Sequence, residues 1–281
     1  MLATRVATAV VILIVLVAML FFAPAALWAV FVLAIALVAC WEWSRLCGLS
    51  ARALALYQLA SGAIGAAFWV LAVIDAEAAF TAAASTAFIL ATVFWILAAP
   101  FWLAKRLRPS GAACAAAGWF VVWPTWFAFV VLREWSPWLL LAVAALVWVA
   151  DIAAYFAGRR FGRHKLAPAV SPGKTWEGVA GALAGVALYG VALSWIAHAQ
   201  STPLSAVFES ALGAPVIVAM LALALLSVVG DLLESWMKRG AGVKDSSALL
   251  PGHGGVLDRI DALTSTLPIA ALALSLRVGG P

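Results

Sequence analysis

Asp231, Glu234, Ser235 and Lys238 stand at i, i+3, i+4 and i+7, which puts two carboxylates, a hydroxyl and an ammonium on one stripe of a helix. Downstream, Arg239, Lys244 and Asp245 lead through Pro251-Gly252-His253-Gly254-Gly255 to Asp258, Arg259 and Asp261. Asp258 and Asp261 are three apart and share a helix face, where like charges repel unless a cation lies between them or one is protonated. Carboxylate oxygens favour hard ions, and Mg²⁺ takes one or two carboxylates together with substrate phosphates. Asp231, Asp258 and Asp261 are therefore expected to form a Mg²⁺ platform for a nucleotide. Zinc is disfavoured, because no cysteine accompanies His253 and the other two histidines are distant in sequence. The competing reading is ion pairing alone, between these carboxylates and Lys238, Arg239 and Arg259.

A second segment, Asp151 to Gly178, carries chemistry as well as charge. Asp151 and Tyr155 are four apart on one helix face, and a carboxylate within an apolar span usually faces a polar cavity. The run Ser171-Pro172-Gly173-Lys174-Thr175 offers amides, hydroxyls and an ammonium just before a helix, a combination suited to a phosphate. It is not a P-loop: the Walker pattern needs Gly where this chain has Pro168, and a preceding strand where it has an apolar helix.

The elements that must position these residues are membrane helices. Hydrophobic residues make up 67% of the 281, charged residues only 10%, and the mean hydropathy is +1.11. Such a composition lies far outside the soluble globular range, where charged residues are about a quarter. Apolar runs of bilayer-spanning length predict nine helices, near 6–22, 25–41, 54–74, 79–103, 112–132, 138–157, 177–198, 211–230 and 260–277. The fold class is all-α and polytopic, since no segment shows the alternation of a membrane barrel. With the N-terminus inside, 15 of the 17 basic residues fall on one face, leaving Arg133 and Arg277 for the other. The positive-inside rule then makes the charged face cytoplasmic and the C-terminus external, in a multi-pass protein of the cell membrane. The net charge of +5 reflects that topology and is no sign of nucleic-acid binding, as no soluble basic domain exists to hold it. The first helix is read as an uncleaved span. Cys40, Cys47 and Cys114, odd in number and without CxxC spacing, are expected to be apolar fillers. Trp41, Trp43, Trp102, Trp135 and Trp138 are expected to be interfacial anchors.

Ser235, Lys238-Arg239, Lys244-Asp245, Ser247, Leu250-Pro251, His253-Gly254-Gly255 and Asp258-Arg259-Ile260-Asp261 together resemble the signature of the phosphatidate cytidylyltransferases, or CDP-diacylglycerol synthases. SPGKTWEG, within the Asp151–Gly178 segment, is similar to a second block of that family, and Gly230-Asp231-Leu232 extends the signature upstream. The resemblance implies transfer of a cytidylyl group from CTP to membrane phosphatidate with release of pyrophosphate, dependent on Mg²⁺. It assigns Asp231, Asp258 and Asp261 to the metal. Lys238, Arg239 and Lys244 go to phosphate oxygens and the departing pyrophosphate, with Asp245 and His253 beside them in the catalytic segment. Ser171, Lys174, Thr175 and Arg259 complete the substrate surface, and Asp151 helps position substrate. It divides the chain into variable anchoring helices over 1–135 and a catalytic region over 136–281, and favours a homodimer packed through membrane helices. Two other classes fit less well. An ion-coupled carrier would show charged, interrupted spans in two related halves, whereas charge here is confined to one half and one face. The DGxxAR opening of the CDP-alcohol phosphotransferases is absent.

Overall fold

The computed structural model of the chain describes residues 2–74, 76–107, 110–199 and 214–278. Arg108, the side chain of Arg5 and the start of the span expected at 211–230 lie outside the described residues. The helices are α1 (Leu2–Phe22), α2 (Ala25–Leu46), α3 (Ala51–Val73), α4 (Glu77–Val93), α5 (Ala99–Ala104), α6 (Gly111–Trp135), α7 (Pro137–Phe161), α8 (Trp176–Ala199), α9 (Ala214–Gly240) and α10 (Leu257–Val278). A π-helical turn, Phe94–Ala98, joins α4 to α5, so the two run on as one rod. Among the described residues eight helical segments are long and apolar enough to cross a bilayer, and Val10–Phe22 adds a shorter apolar helix. The all-α, multi-pass expectation holds.

Among the described residues two short strands interrupt the helices. Lys165–Ala167 (β1) pairs antiparallel with Ser171–Thr175 (β2), with Lys165 opposite Thr175 and Ala167 opposite Ser171. The segment expected to be a phosphate loop is thus a hairpin arm that feeds straight into α8. Thr175 ends the arm by accepting from Gly178 N at 3.1 Å, an N-cap that satisfies one of the free amides of α8.

The core is aromatic and lies among α2, α3, α4 and α6. Trp28, Trp43, Trp95, Trp123 and Trp126 are buried there beside Phe88 and Phe127. Trp43 corrects its expected role as an interfacial anchor: its indole N–H donates to Cys114 O at 2.8 Å, which lets the ring lie inside at no hydrogen-bonding cost. Trp138, by contrast, is exposed, as an anchor should be. The cysteine expectation is corrected for two of three: Cys47 and Cys114 form a disulfide with Cα atoms 5.6 Å apart, and only Cys40 is a buried free thiol. They meet because the chain folds back between α2 and α6, where Gly111 N donates to Cys47 O at 2.9 Å.

Inter-helix contacts gather the basic loops at one end of the bundle. Trp236, late in α9, donates to Leu107 O at 2.6 Å, tying the end of α9 to the segment before α6. At the opposite end Arg133 donates to Leu20 O at 3.1 Å and to Ala23 O. Helix α10 runs through the middle, against α2, α4, α6, α7 and α9. Its approach to α9 is close because of Gly230, where a Cβ would lie 2.5 Å from Ser265 Oγ and 2.8 Å from Asp261 O. That contact brings Asp231, the next residue, alongside Asp261.

Candidate active site

The stripe read from the sequence exists on α9. Ser235 Oγ donates to Asp231 Oδ1 at 3.2 Å, and Lys238 is ion-paired with Glu234 one turn back. Lys238 Nζ also donates to Asp258 Oδ1 at 2.5 Å, so one buried ammonium joins the end of α9 to the start of α10. Asp258 Oδ2 accepts from Ser246 N at 2.9 Å, Ser246 Oγ at 2.9 Å and Gly255 N at 2.8 Å. These contacts close the segment between α9 and α10 into a loop. Gly254 has φ +80° there, a left-handed conformation that disfavours a side chain, and a Cβ on Gly255 would lie 2.0 Å from Ser246 Oγ.

Asp261 Oδ1 accepts from Ala262 N at 2.7 Å. The charges of Asp231, Lys238 and Lys174 act on it, and it acts in turn on Glu234. Lys174, on β2, reaches across to pair with Asp231 Oδ2 at 2.5 Å, and Asp151 on α7 feels both of them. The two remote segments singled out in the sequence therefore meet at one charged patch. Of the three cations in the competing ion-pair reading, Lys238 pairs, with Glu234 and Asp258; Lys174, outside that reading, pairs with Asp231.

Two cavities flank this patch. The first, of about 450 Å³, is lined by Asp151, Tyr155, Arg159, Ser171, Lys174, Thr175 and Asp231 on its polar side. Ala150, Ala154, Val179, Ala182 and Val228, from the spans α7, α8 and α9, also line it. The second, of about 530 Å³, is polar and lies in the loop before and at the start of α10, among Lys244, Asp245, Ser247, His253 and Arg259. His253 Nδ1 is buried with no hydrogen-bond partner. Arg239 lines neither cavity; its guanidinium donates to Val243 O at 2.9 Å and braces the turn leading to Lys244.

Among the described residues no three Asp, Glu, His or Cys side chains converge as a ready-made metal cage. The donor set still suits a hard divalent cation. Asp231 and Asp261 confront one another, and Glu234, 3% exposed, has no hydrogen bond on either oxygen beyond its ion pair. An orphaned carboxylate beside a carboxylate pair is the environment that a cation sharing its remaining positions with substrate oxygens would complete. Asp258 is the most committed of the three expected ligands, with both oxygens already engaged.

Reading the sequence missed Glu42. This residue of α2 is fully buried and accepts hydrogen bonds from the same loop. The available signal was its isolation: it is the sole carboxylate in the first 74 residues, just past the end of the apolar span expected at 25–41.

A charged site set among membrane helices narrows the class, and comparison with known sequences identifies it. Residues 3–277 match the profile of the cytidylyltransferase family, and the chain belongs to that family, making it a nucleotidyltransferase. It is 38% identical to a phosphatidate cytidylyltransferase of Pseudomonas aeruginosa over 98% of its own length and 97% of that protein. A phosphatidate cytidylyltransferase of Haemophilus influenzae is 52% identical over 46% of this chain and 43% of its own, and one of Thermotoga maritima 35% identical over 54% and 55%.

Proposed function

We propose that the protein transfers the cytidylyl group of CTP to the phosphate of phosphatidate, yielding CDP-diacylglycerol and pyrophosphate. The observation that carries this reading is the pair of unlike cavities, one lined by Lys174 and Asp231 of the charged patch and the other by the loop that Asp258 holds closed. A lipid phosphate needs a polar niche continuous with apolar helix surface, which the first cavity offers through Lys174, Ser171 and Thr175 together with alanine and valine from the spans. A nucleoside triphosphate needs cations in a polar surround, which the second offers through Lys244 and Arg259. The similarity to a phosphatidate cytidylyltransferase along 98% of the chain supports the same substrates.

A phosphate oxygen of the lipid attacks the α-phosphorus of CTP, and the bond to the β-phosphate oxygen breaks with its electron pair leaving on pyrophosphate. A phosphomonoester has its second pKa near 6 and is largely dianionic at neutral pH, so no strong general base is required. What the chain must supply is alignment and charge neutralisation. Lys174 orients the acceptor phosphate, Lys244 and Arg259 hold the triphosphate, and Lys238 keeps the helix ends that carry Asp231 and Asp258 together. Mg²⁺, bound by Asp231 and Asp261 with Asp258 adjoining, would neutralise the phosphate oxygens as charge moves to the leaving group. The basic end of the bundle is assigned to the cytoplasm by its excess of Lys and Arg.

The test is pyrophosphate release from CTP by the purified protein, with and without phosphatidate, in Mg²⁺ or EDTA. Release that needs both lipid and metal is expected. Release without lipid would mark a nucleotide hydrolase, and none with lipid and Mg²⁺ would contradict the assignment.

A further inference from the structure

Glu42 lies near the C-terminal end of α2, in the part of the chain expected only to anchor, and has 0% exposure. Each of its oxygens has two donors. Oε1 accepts from Ser247 Oγ at 2.5 Å and Val256 N at 3.0 Å; Oε2 accepts from Ser246 Oγ at 3.0 Å and Leu257 N at 2.6 Å. Leu257 opens α10, so a carboxylate from another helix caps its positive end.

A cap alone would matter only for stability, but this one is wired into the site. Ser246 Oγ lies 3.0 Å from Glu42 Oε2 and 2.9 Å from Asp258 Oδ2. A hydroxyl has one proton to donate, so the two carboxylates share it. Asp258 is in turn bonded to Lys238. A continuous polar path thus runs from α2 through Ser246 and Asp258 to the ammonium beside Glu234. Lys244 and Asp245 immediately precede Ser246, and His253 lies in the same closed loop. The loop backbone leaves no slack, for a Cβ on Gly255 would lie 2.4 Å from Glu42 Oε1.

We propose that Glu42 is a positioning residue for nucleotidyl transfer. It fixes the Lys244–Leu257 loop against the helix bundle and, through Ser246, sets where Asp258 and Lys238 stand. The proposal rests on the reaction assigned above and adds that α2 is part of the catalytic apparatus.

Glu42→Gln keeps the volume but turns one acceptor oxygen into an NH₂ group facing two donors. In folded, monodisperse protein we expect kcat to fall roughly ten- to a hundredfold, the range seen when groups that orient ligands are removed. KM for phosphatidate should stay within about threefold, because Lys174 and its cavity are untouched. Ser246→Ala removes the shared hydroxyl while leaving the cap on Val256 and Leu257. Its kcat should fall as well, and the double variant should be no worse than the poorer single one, as expected for residues acting through one path. Hydrogen exchange over Val256 and Leu257 gives a readout apart from turnover, and Glu42→Gln should raise it. Normal kcat in folded Glu42→Gln, or losses that multiply in the double variant, would overturn the proposal. Should Glu42→Gln fail to fold, unchanged kcat in Ser246→Ala would overturn it. An inactive wild-type protein would defeat the assigned reaction instead, and exchange at Val256 and Leu257 would then decide the role of Glu42.

Discussion

The two cavities beside the carboxylate patch are built from opposite materials. The first borrows its walls from membrane spans, where Ala150, Ala154, Val179 and Ala182 provide apolar surface beside Asp151, Tyr155, Arg159 and Asp231, and Ser171, Lys174 and Thr175 join from the hairpin. The second is made almost entirely by the loop before α10, with Lys244, Asp245, His253 and Arg259 around it and two left-handed glycines, Gly252 and Gly254, in its backbone. Rigid helices suit a substrate that arrives within the bilayer, and a closed polar loop suits one that arrives from water. The difference teaches that a two-substrate reaction at a membrane surface can be divided between kinds of secondary structure, with the ion pairs of Lys238 and Lys174 as the seam.

The strongest way to break that division is at the seam. Asp258→Asn should lower turnover by about a hundred- to a thousandfold, comparable to losing a preorganised charge-stabilising group, while the protein still inserts in the membrane. Near-normal turnover over a Mg²⁺ titration would remove Asp258 from both the metal and the loop closure. Lys238→Ala leaves Glu234 and Asp258 buried without their counterion, and should destabilise the protein by about 3–5 kcal/mol. Thermal unfolding in detergent, alongside the CTP dependence of turnover, would measure it. An unchanged midpoint would mean that the ion pairs are incidental.

Smaller changes sharpen the contrast between loop and hairpin. Gly255→Ala puts a methyl group where Ser246 and Glu42 already stand, so it should displace the loop and cost about 1–3 kcal/mol with most of the activity. Gly173→Ala meets nothing within 4 Å and has no left-handed φ, so stability should change by less than about 0.5 kcal/mol and turnover by less than about twofold. A large loss at Gly173, read by steady-state assay, would restore a glycine-dependent phosphate loop that the hairpin argues against.

Legibility followed the physics of each feature. Hydropathy exposed the spans because a bilayer imposes length and composition on every one of them, and the i, i+3, i+4, i+7 stripe of α9 was readable because helix geometry is local. The pairing of Lys174 with Asp231 was not legible: the positive-inside rule puts the basic loops on one face, but spacing carries no record of which residues meet there. The Cys47–Cys114 bond, the burial of Trp43 and the capping by Glu42 depend on which helices lie side by side, and periodicity carries no record of that. Gly230 is the most instructive case: it reads as one more small residue in an apolar span, yet it sets the distance between α9 and α10 and so brings Asp231 to Asp261.

The most direct measurement is a pair of kinetic constants, KM for phosphatidate and KM for CTP, in Lys174→Ala and Lys244→Ala. A site divided between two walls predicts opposite signatures. Lys174→Ala should raise KM for phosphatidate by about tenfold with little change for CTP, and Lys244→Ala should do the reverse, as loss of a charged hydrogen bond to one substrate implies. Equal effects of both variants on both substrates would contradict the division and leave a single undivided phosphate site.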